Sequence, residues 1–181
     1  MITGISGVWL SVKENILAWP FFLICYGCYV YIGYDFGLPA LTGMNLVFMG
    51  LALYGWFKWS KQVGDGAVLK VSRTGRAHWP LVVSFIGVAT YGLGWILTHH
   101  GGATHAYIDA FATCCGFTAQ WMLGRKHIET WIFWIISDTI YLGLFLMGSS
   151  WPTVVLFAVF IILALKGWRE WRRELSPGKN L

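Results

Sequence analysis

The chain has 181 residues, a hydrophobic fraction of 57% and a charged fraction of only 12%. Soluble domains carry about 25% charge, so this composition excludes an ordinary water-soluble globule and requires that most of the surface face lipid. The formal charge of +5 could suggest nucleic acid, but the basic residues fall between apolar runs, where they act as topology signals toward anionic lipid, and nucleic-acid binding is set aside.

Apolar runs predict seven helices, at about 2–13, 16–33, 38–60, 78–98, 103–124, 127–147 and 151–173. The first, "ITGISGVWLSVK", is too short to cross a bilayer unaided; the other six have about the 17–25 residues needed. "GYDFG", "THHGGA" and "GSSWP" read as tight turns, whereas residues 61–77 form a longer connection. With seven crossings, every Lys and Arg falls on one side, from Lys13 through Lys58, Arg73 and Arg125 to Arg173, and the opposite loops carry none. The positive-inside bias then places the N-terminus outside and the C-terminus in the cytoplasm. No basic n-region and no small-residue cleavage site mark a signal peptide.

The third helix ends in "YGWFKWSK" and the seventh in "GWREW", so Gly-Trp-x-x-Trp occurs twice, 112 positions apart. The same gapless shift superimposes Trp9 on Trp121, Trp19 on Trp131, Trp56 on Trp168 and Trp59 on Trp171, too many coincidences for chance with twelve Trp. It maps helices 1–3 onto helices 5–7 and leaves helix 4 unmatched. Three is odd, so a linking helix is needed for both halves to enter from the same side. The fold class expected is therefore an all-α integral membrane protein of seven transmembrane helices in a 3+1+3 parallel repeat of three-helix bundles. Its parts are a first bundle at 1–60, the loop and linking helix at 61–102, a second bundle at 103–173 and a tail at 174–181. Transporters on this plan, such as the SWEET sugar carriers, bind substrate near midplane between the bundles.

Within helix 6, "HIETWIFWIISDTIYLG" sets Trp131, Trp134, Asp138 and Tyr141 at steps of three and four, on one face. A carboxylate at mid-membrane costs at least a few kcal/mol facing lipid, so Asp138 should point into the bundle. Paired indoles leading to a buried acid suit a flat cation; the alternative is that Asp138 only bridges two helices. Asn45 and Gln120 are amides inside long apolar runs, fit either for a ligand's hydroxyls or for holding helices together. Asp109 falls at the solvated outer end of helix 5, and Trp168 and Trp171, flanked by Arg and Glu, read as interface anchors. Cys25, Cys28, Cys114 and Cys115 lie inside helices, where Cys is a small apolar residue rather than a redox centre. His99, His100 and His105 share an outer loop without a Cys or carboxylate among them, and no metal or cofactor is expected.

"KENILAWPFF", "YGWFKWSK", "GRKHIETWIFWIISDTIY" and "GWREWRRE" together resemble the PnuC family of bacterial vitamin transporters. The resemblance covers nearly the whole chain, and the helix 5–6 stretch is its most specific part. It implies a multi-pass protein of the bacterial inner membrane, not an enzyme, that moves nicotinamide riboside, or in sister groups thiamine or riboflavin, by facilitated diffusion. It further implies a cytoplasmic kinase that traps the vitamin by phosphorylation, and allows a homo-oligomer such as a trimer. Carried over by motif, the cavity residues would be Trp131, Trp134, Asp138 and Asn45, with Trp56 and Trp59 beside them. The chain departs from the family where many members carry Gln at Asn45, Asn at Ala52 and Asn at Asp138, and it begins inside what is normally a longer first helix. Nicotinamide riboside and thiamine both carry a cationic ring, so the Trp pair and Asp138 do not separate them. A membrane enzyme or sensor, such as a thiol oxidase, would instead need catalytic residues or a sizeable soluble domain, and the longest loop offers neither.

Overall fold

The computed structural model describes residues 2–64, 69–100 and 105–176, the side chains of 62–64 and 100 excepted. Seven helices follow in order: α1 (Ile2–Val12), α2 (Ala18–Asp35), α3 (Pro39–Gly64), α4 (Trp79–His100), α5 (Ala106–Gly124), α6 (Thr130–Met147) and α7 (Trp151–Glu174). Among the described residues α3, α4, α6 and α7 are long and apolar enough to cross a membrane. α2 and α5 have 18 and 19 residues but fall short in apolarity rather than length. α2 carries four Tyr and Asp35, while α5 carries Asp109, two Thr and Gln120. For α5 the reason lies in its surroundings. It packs against α3, α4 and α6, and thirteen of its nineteen residues are buried. A helix covered by protein has no need to be lipophilic on every face.

The chain order of contacts is α1 on α2 on α3, then α5 on α6 on α7, with α3 touching α5 and α1 touching α7 to close a ring. α4 lies outside that ring, packed on α5. Element limits repeat at the 112-residue offset: α1 and α5 end, α2 and α6 begin and end, and α3 and α7 begin at equivalent positions. The turns after α1 and α5 carry Glu14 and Lys126, both with positive φ, of 54° and 53°. These two equivalent residues also form an ion pair with each other across the ring.

The repeated Gly-Trp-x-x-Trp has a packing cause. A Cβ on Gly55 would lie 2.1 Å from the Trp19 ring, and one on Gly167 would lie 2.5 Å from the Trp131 ring, so only glycine lets the α2 and α6 indoles lie flat on α3 and α7. The second Trp of each motif then meets that indole edge-on, Trp59 with Trp19 and Trp171 with Trp131, both at 5.2 Å between centroids. Trp171 is fully buried, with its indole N–H donating to the Val12 carbonyl at 3.3 Å. This corrects the interface-anchor expectation for Trp171: the close glycine contact draws the second Trp of the motif inward.

These four Trp, with Val12, Ala18, Leu123 and Val71, form one apolar cluster that fills the basic end of the ring. Residues 72–74 of the long connection are fastened beneath it. Ser72 N–H donates to the Lys126 carbonyl at 3.0 Å, Ile128 N–H to the Ser72 carbonyl at 2.9 Å, and Thr74 through both N–H and Oγ1 to Glu129. Burial holds the His127 imidazole below its ordinary pKa, with Nδ1 3.1 Å from Ser72 Oγ.

Candidate functional site

Above the tryptophan cluster the ring encloses a cavity of about 760 Å³, which reaches from Trp131 and Ala164 to the helix ends opposite the basic side. That is the size of a pocket for a small organic ligand. Its walls repeat at the same offset. α2 contributes Phe22, Cys25, Tyr26 and Tyr29, and α6 contributes Trp134, Ser137, Asp138 and Tyr141 at the equivalent positions. α3 contributes Leu41, Met44, Asn45 and Phe48, and α7 contributes Thr153, Leu156, Phe157 and Phe160, again equivalent one to one. The chemistry of the two walls differs. Where the second half has an acid, Asp138, the first has Tyr26; where the first has an amide, Asn45, the second has Phe157.

The aromatic part of the wall is ordered. Phe22 and Tyr26 lie 6.0 Å apart with ring planes at 13°, Tyr26 and Phe48 5.2 Å apart at 19°, and Phe48 and Trp134 6.3 Å apart at 18°. Near-parallel rings of this kind present a flat face on which a planar heterocycle can stack. Trp131 closes the deep end, 1% exposed, with an indole N–H that has no partner among the described residues. Asp138 is 4% exposed, lines the same cavity, and has no hydrogen-bond partner among the described residues. A carboxylate in an apolar cavity wall is costly in its charged form, and a cationic or hydrogen-donating ligand offsets that cost. Asn45 donates from Nδ2 to the Leu41 carbonyl at 2.8 Å, which leaves its side-chain oxygen free as an acceptor. Tyr141 OH sits between Thr113 Oγ1, at 2.7 Å, and Asp109 Oδ1, at 3.0 Å.

Five of the eight residues expected at the site therefore meet in one cavity: Trp131, Trp134, Asp138, Asn45 and Tyr141. Three do not line it. Trp59 belongs to the apolar cluster at the basic end, edge-on to Trp19 and beneath Lys126 Nζ at 4.8 Å. Trp56 lies on the outer face of α3, 37% exposed. Gln120 is fully buried and reaches the cavity only through Tyr26, whose hydroxyl donates to its side-chain oxygen at 3.4 Å. Tyr26 and Phe48 join the wall without a local sequence signal, although the 112-residue shift points to Tyr26 as the counterpart of Asp138. Asp109 lines the cavity mouth rather than standing in bulk solvent. Cys114 and Cys115 are buried, as their helix interior requires, and His99 stacks on Trp95 at 4.6 Å. Among the described residues no three His, Cys, Asp or Glu lie close enough to share a metal.

Apolar helices around an aromatic cavity with a buried acid define a membrane protein with an internal site for a small molecule, and comparison with known proteins gives its class as a transporter. Residues 1–173 match the family model described as nicotinamide mononucleotide transporter, and the chain belongs to that family, the PnuC vitamin transporters. It is 24% identical to the riboflavin/roseoflavin transporter RibM of Streptomyces davaonensis, over 97% of this chain and 85% of the relative. It is 23% identical to the nicotinamide riboside transporter PnuC of Escherichia coli over 94% of this chain and 82% of that one. The Haemophilus influenzae PnuC is 26% identical over 96% and 78%. A crystal structure of the vitamin B3 transporter PnuC matches with a TM-score of 0.76 at 22% identity, covering 96% of this chain and 79% of the other, which establishes the shared fold. The protein is thus a multi-pass transporter of the bacterial inner membrane and not an enzyme.

Proposed function

We propose that this protein takes up a cationic aromatic vitamin, nicotinamide riboside ahead of thiamine, by facilitated diffusion, and that a cytoplasmic kinase traps the product as a phosphate. The observation that carries the reading is Asp138: a buried carboxylate without a partner, on a cavity wall of near-parallel aromatic rings. The ligand's ring stacks on Trp134 and closes against Trp131, cation–π attraction being worth about 0.5–2 kcal/mol. Asp138 supplies the counter-charge, and the Asn45 oxygen accepts from a hydroxyl. The names of the Escherichia coli and Haemophilus influenzae relatives favour nicotinamide riboside. Riboflavin is the second reading, favoured by the RibM relative and by a cavity large enough for its three-ring system. Its isoalloxazine is neutral, however, and offers the acid hydrogen bonds from its imide N–H but no positive charge.

The architecture we infer is a 3+1+3 parallel repeat, α1–α3 and α5–α7 about an axis through the Glu14–Lys126 pair, with α4 as the linker. The equivalent helix limits and the paired Trp contacts support it. The basic residues at one end support an N-out, C-in topology. In that orientation the cavity opens to the outside and the tryptophan cluster closes the cytoplasmic side, an arrangement poised to receive substrate.

Calorimetric titration of purified protein with nicotinamide riboside, thiamine and riboflavin decides the ligand. Binding of either cation with riboflavin inert supports the reading, whereas riboflavin alone binding sinks it. In vesicles without a kinase, uptake should stop at equal concentrations inside and out. Accumulation driven by a proton or sodium gradient would rule out facilitated diffusion.

A further inference from the structure

Two carboxylates line the cavity, Asp138 in the wall and Asp109 at the mouth beside His105, and among the described residues no Lys or Arg lines it. Asp109 stands in the first turn of α5, where its side chain is held by a directed chain of hydrogen bonds. Tyr141 OH donates to Asp109 Oδ1 at 3.0 Å, so the 2.7 Å contact to Thr113 is a bond that Thr113 Oγ1 donates to Tyr141. One carboxylate oxygen is thereby occupied, and the other has no partner among the described residues. Tyr141 lies one helical turn beyond Asp138 on α6, on the same face. The two acids therefore stand on α5 and α6, Asp138 one turn from Trp134 of the aromatic wall, and they fall at two depths along one path.

We propose that Asp109, positioned by Tyr141 and Thr113, determines specificity: it meets the ligand's positive ring at the mouth and passes it to Asp138 one turn deeper. This rests on the reading of the ligand as a cationic vitamin. A carboxylate at the entrance raises the local concentration of cations and repels anions, so it acts on capture, while the buried and unpartnered Asp138 holds the bound state. Bonding from Tyr141 leaves the acid its charge and fixes its direction, which a solvated carboxylate on a helix end lacks. The bland alternative is that Asp109 only anchors the Tyr141 hydroxyl.

The two are separated with nicotinamide riboside and its reduced, uncharged form, which have nearly the same size. The full chain is reconstituted in proteoliposomes; the KM is measured for the cation, and the inhibition constant for the neutral form as competitor. Asp109→Asn should raise the KM of the cation about 5- to 30-fold and move the neutral form's constant less than about twofold. Asp109→Glu should recover most of the loss. Tyr141→Phe, which keeps the acid but removes its support, should give the same selective loss at about 2- to 5-fold, and it stands in should Asp109→Asn fail to fold. Equal losses for both forms, or none for either, would overturn the proposal while leaving the cationic-vitamin reading intact. A wild-type protein that transports neither form but binds riboflavin would overturn both.

Discussion

Gly167 offers the sharpest test of how the basic end is built, because it joins stability to binding through one ring. A Cβ at this position would sit 2.5 Å from the Trp131 indole, whereas carbon atoms settle about 3.5–4.0 Å apart, so in Gly167→Ala the ring must retreat by roughly 1 Å. Trp131 also meets Trp171, one turn beyond Gly167 on α7, edge-on at 5.2 Å, and it lines the cavity into which it can move. Overpacking of this kind costs about 1–3 kcal/mol, partly offset by the roughly 1 kcal/mol that Ala gains over Gly in a helix. Gly55→Ala is the matched partner, with the Trp19 ring 2.1 Å from the new Cβ, but Trp19 does not line the cavity. Gly143→Ala is the control, since nothing lies within 4 Å of a Cβ there. The assay is thermal unfolding of detergent-purified protein alongside titration with the cationic vitamin. Both Gly55→Ala and Gly167→Ala should lower the apparent melting temperature, by several degrees where the full packing cost is felt. Only Gly167→Ala should also weaken binding, and Gly143→Ala should match or exceed the wild type in both measurements. Gly167→Ala as stable and as tight-binding as Gly143→Ala would refute the packing argument.

The two cavity indoles should separate in the same assays. Trp134→Ala should weaken ligand binding about 2- to 30-fold at a smaller cost in stability than Trp131→Ala, which empties a fully buried site and should cost about 3–5 kcal/mol of stability as well. Glu14→Lys or Lys126→Glu alone should destabilise the fold by placing like charges together, by about 3–5 kcal/mol because the side chains are only 19% and 8% exposed. The double exchange should restore most of it because the two sites are equivalent. In a cysteine-free background, Arg73→Cys should react with impermeant thiol reagents only once the cytoplasmic face is opened, and Tyr34→Cys from outside. Labelling of Arg73→Cys in intact cells would reverse the assigned topology.

Much of the architecture was legible in the sequence because it rests on patterns that need no neighbour. Apolar runs gave all seven helices to within about three residues at each start and most ends, and the 112-residue spacing of Gly-Trp-x-x-Trp recurs in the helix limits and in the Trp19–Trp59 and Trp131–Trp171 pairs. Helix periodicity alone put Trp131, Trp134, Asp138 and Tyr141 on one face, and the cost of a charge in lipid turned that face inward. What only the tertiary structure decided was which aromatic residues line the cavity. In a membrane protein a side chain facing lipid and one facing the core are equally apolar, so composition does not tell Trp56 on the outer face, Trp59 in the sealed end and Trp134 on the cavity wall apart. Nor does a local pattern reveal that Asp109 stands within reach of a tyrosine 32 residues away, or that α5 is shielded by three other helices. Those facts depend on where distant segments cross, and it is the crossing of α5 with α6 that turns an ordinary helix-end acid into part of the cavity.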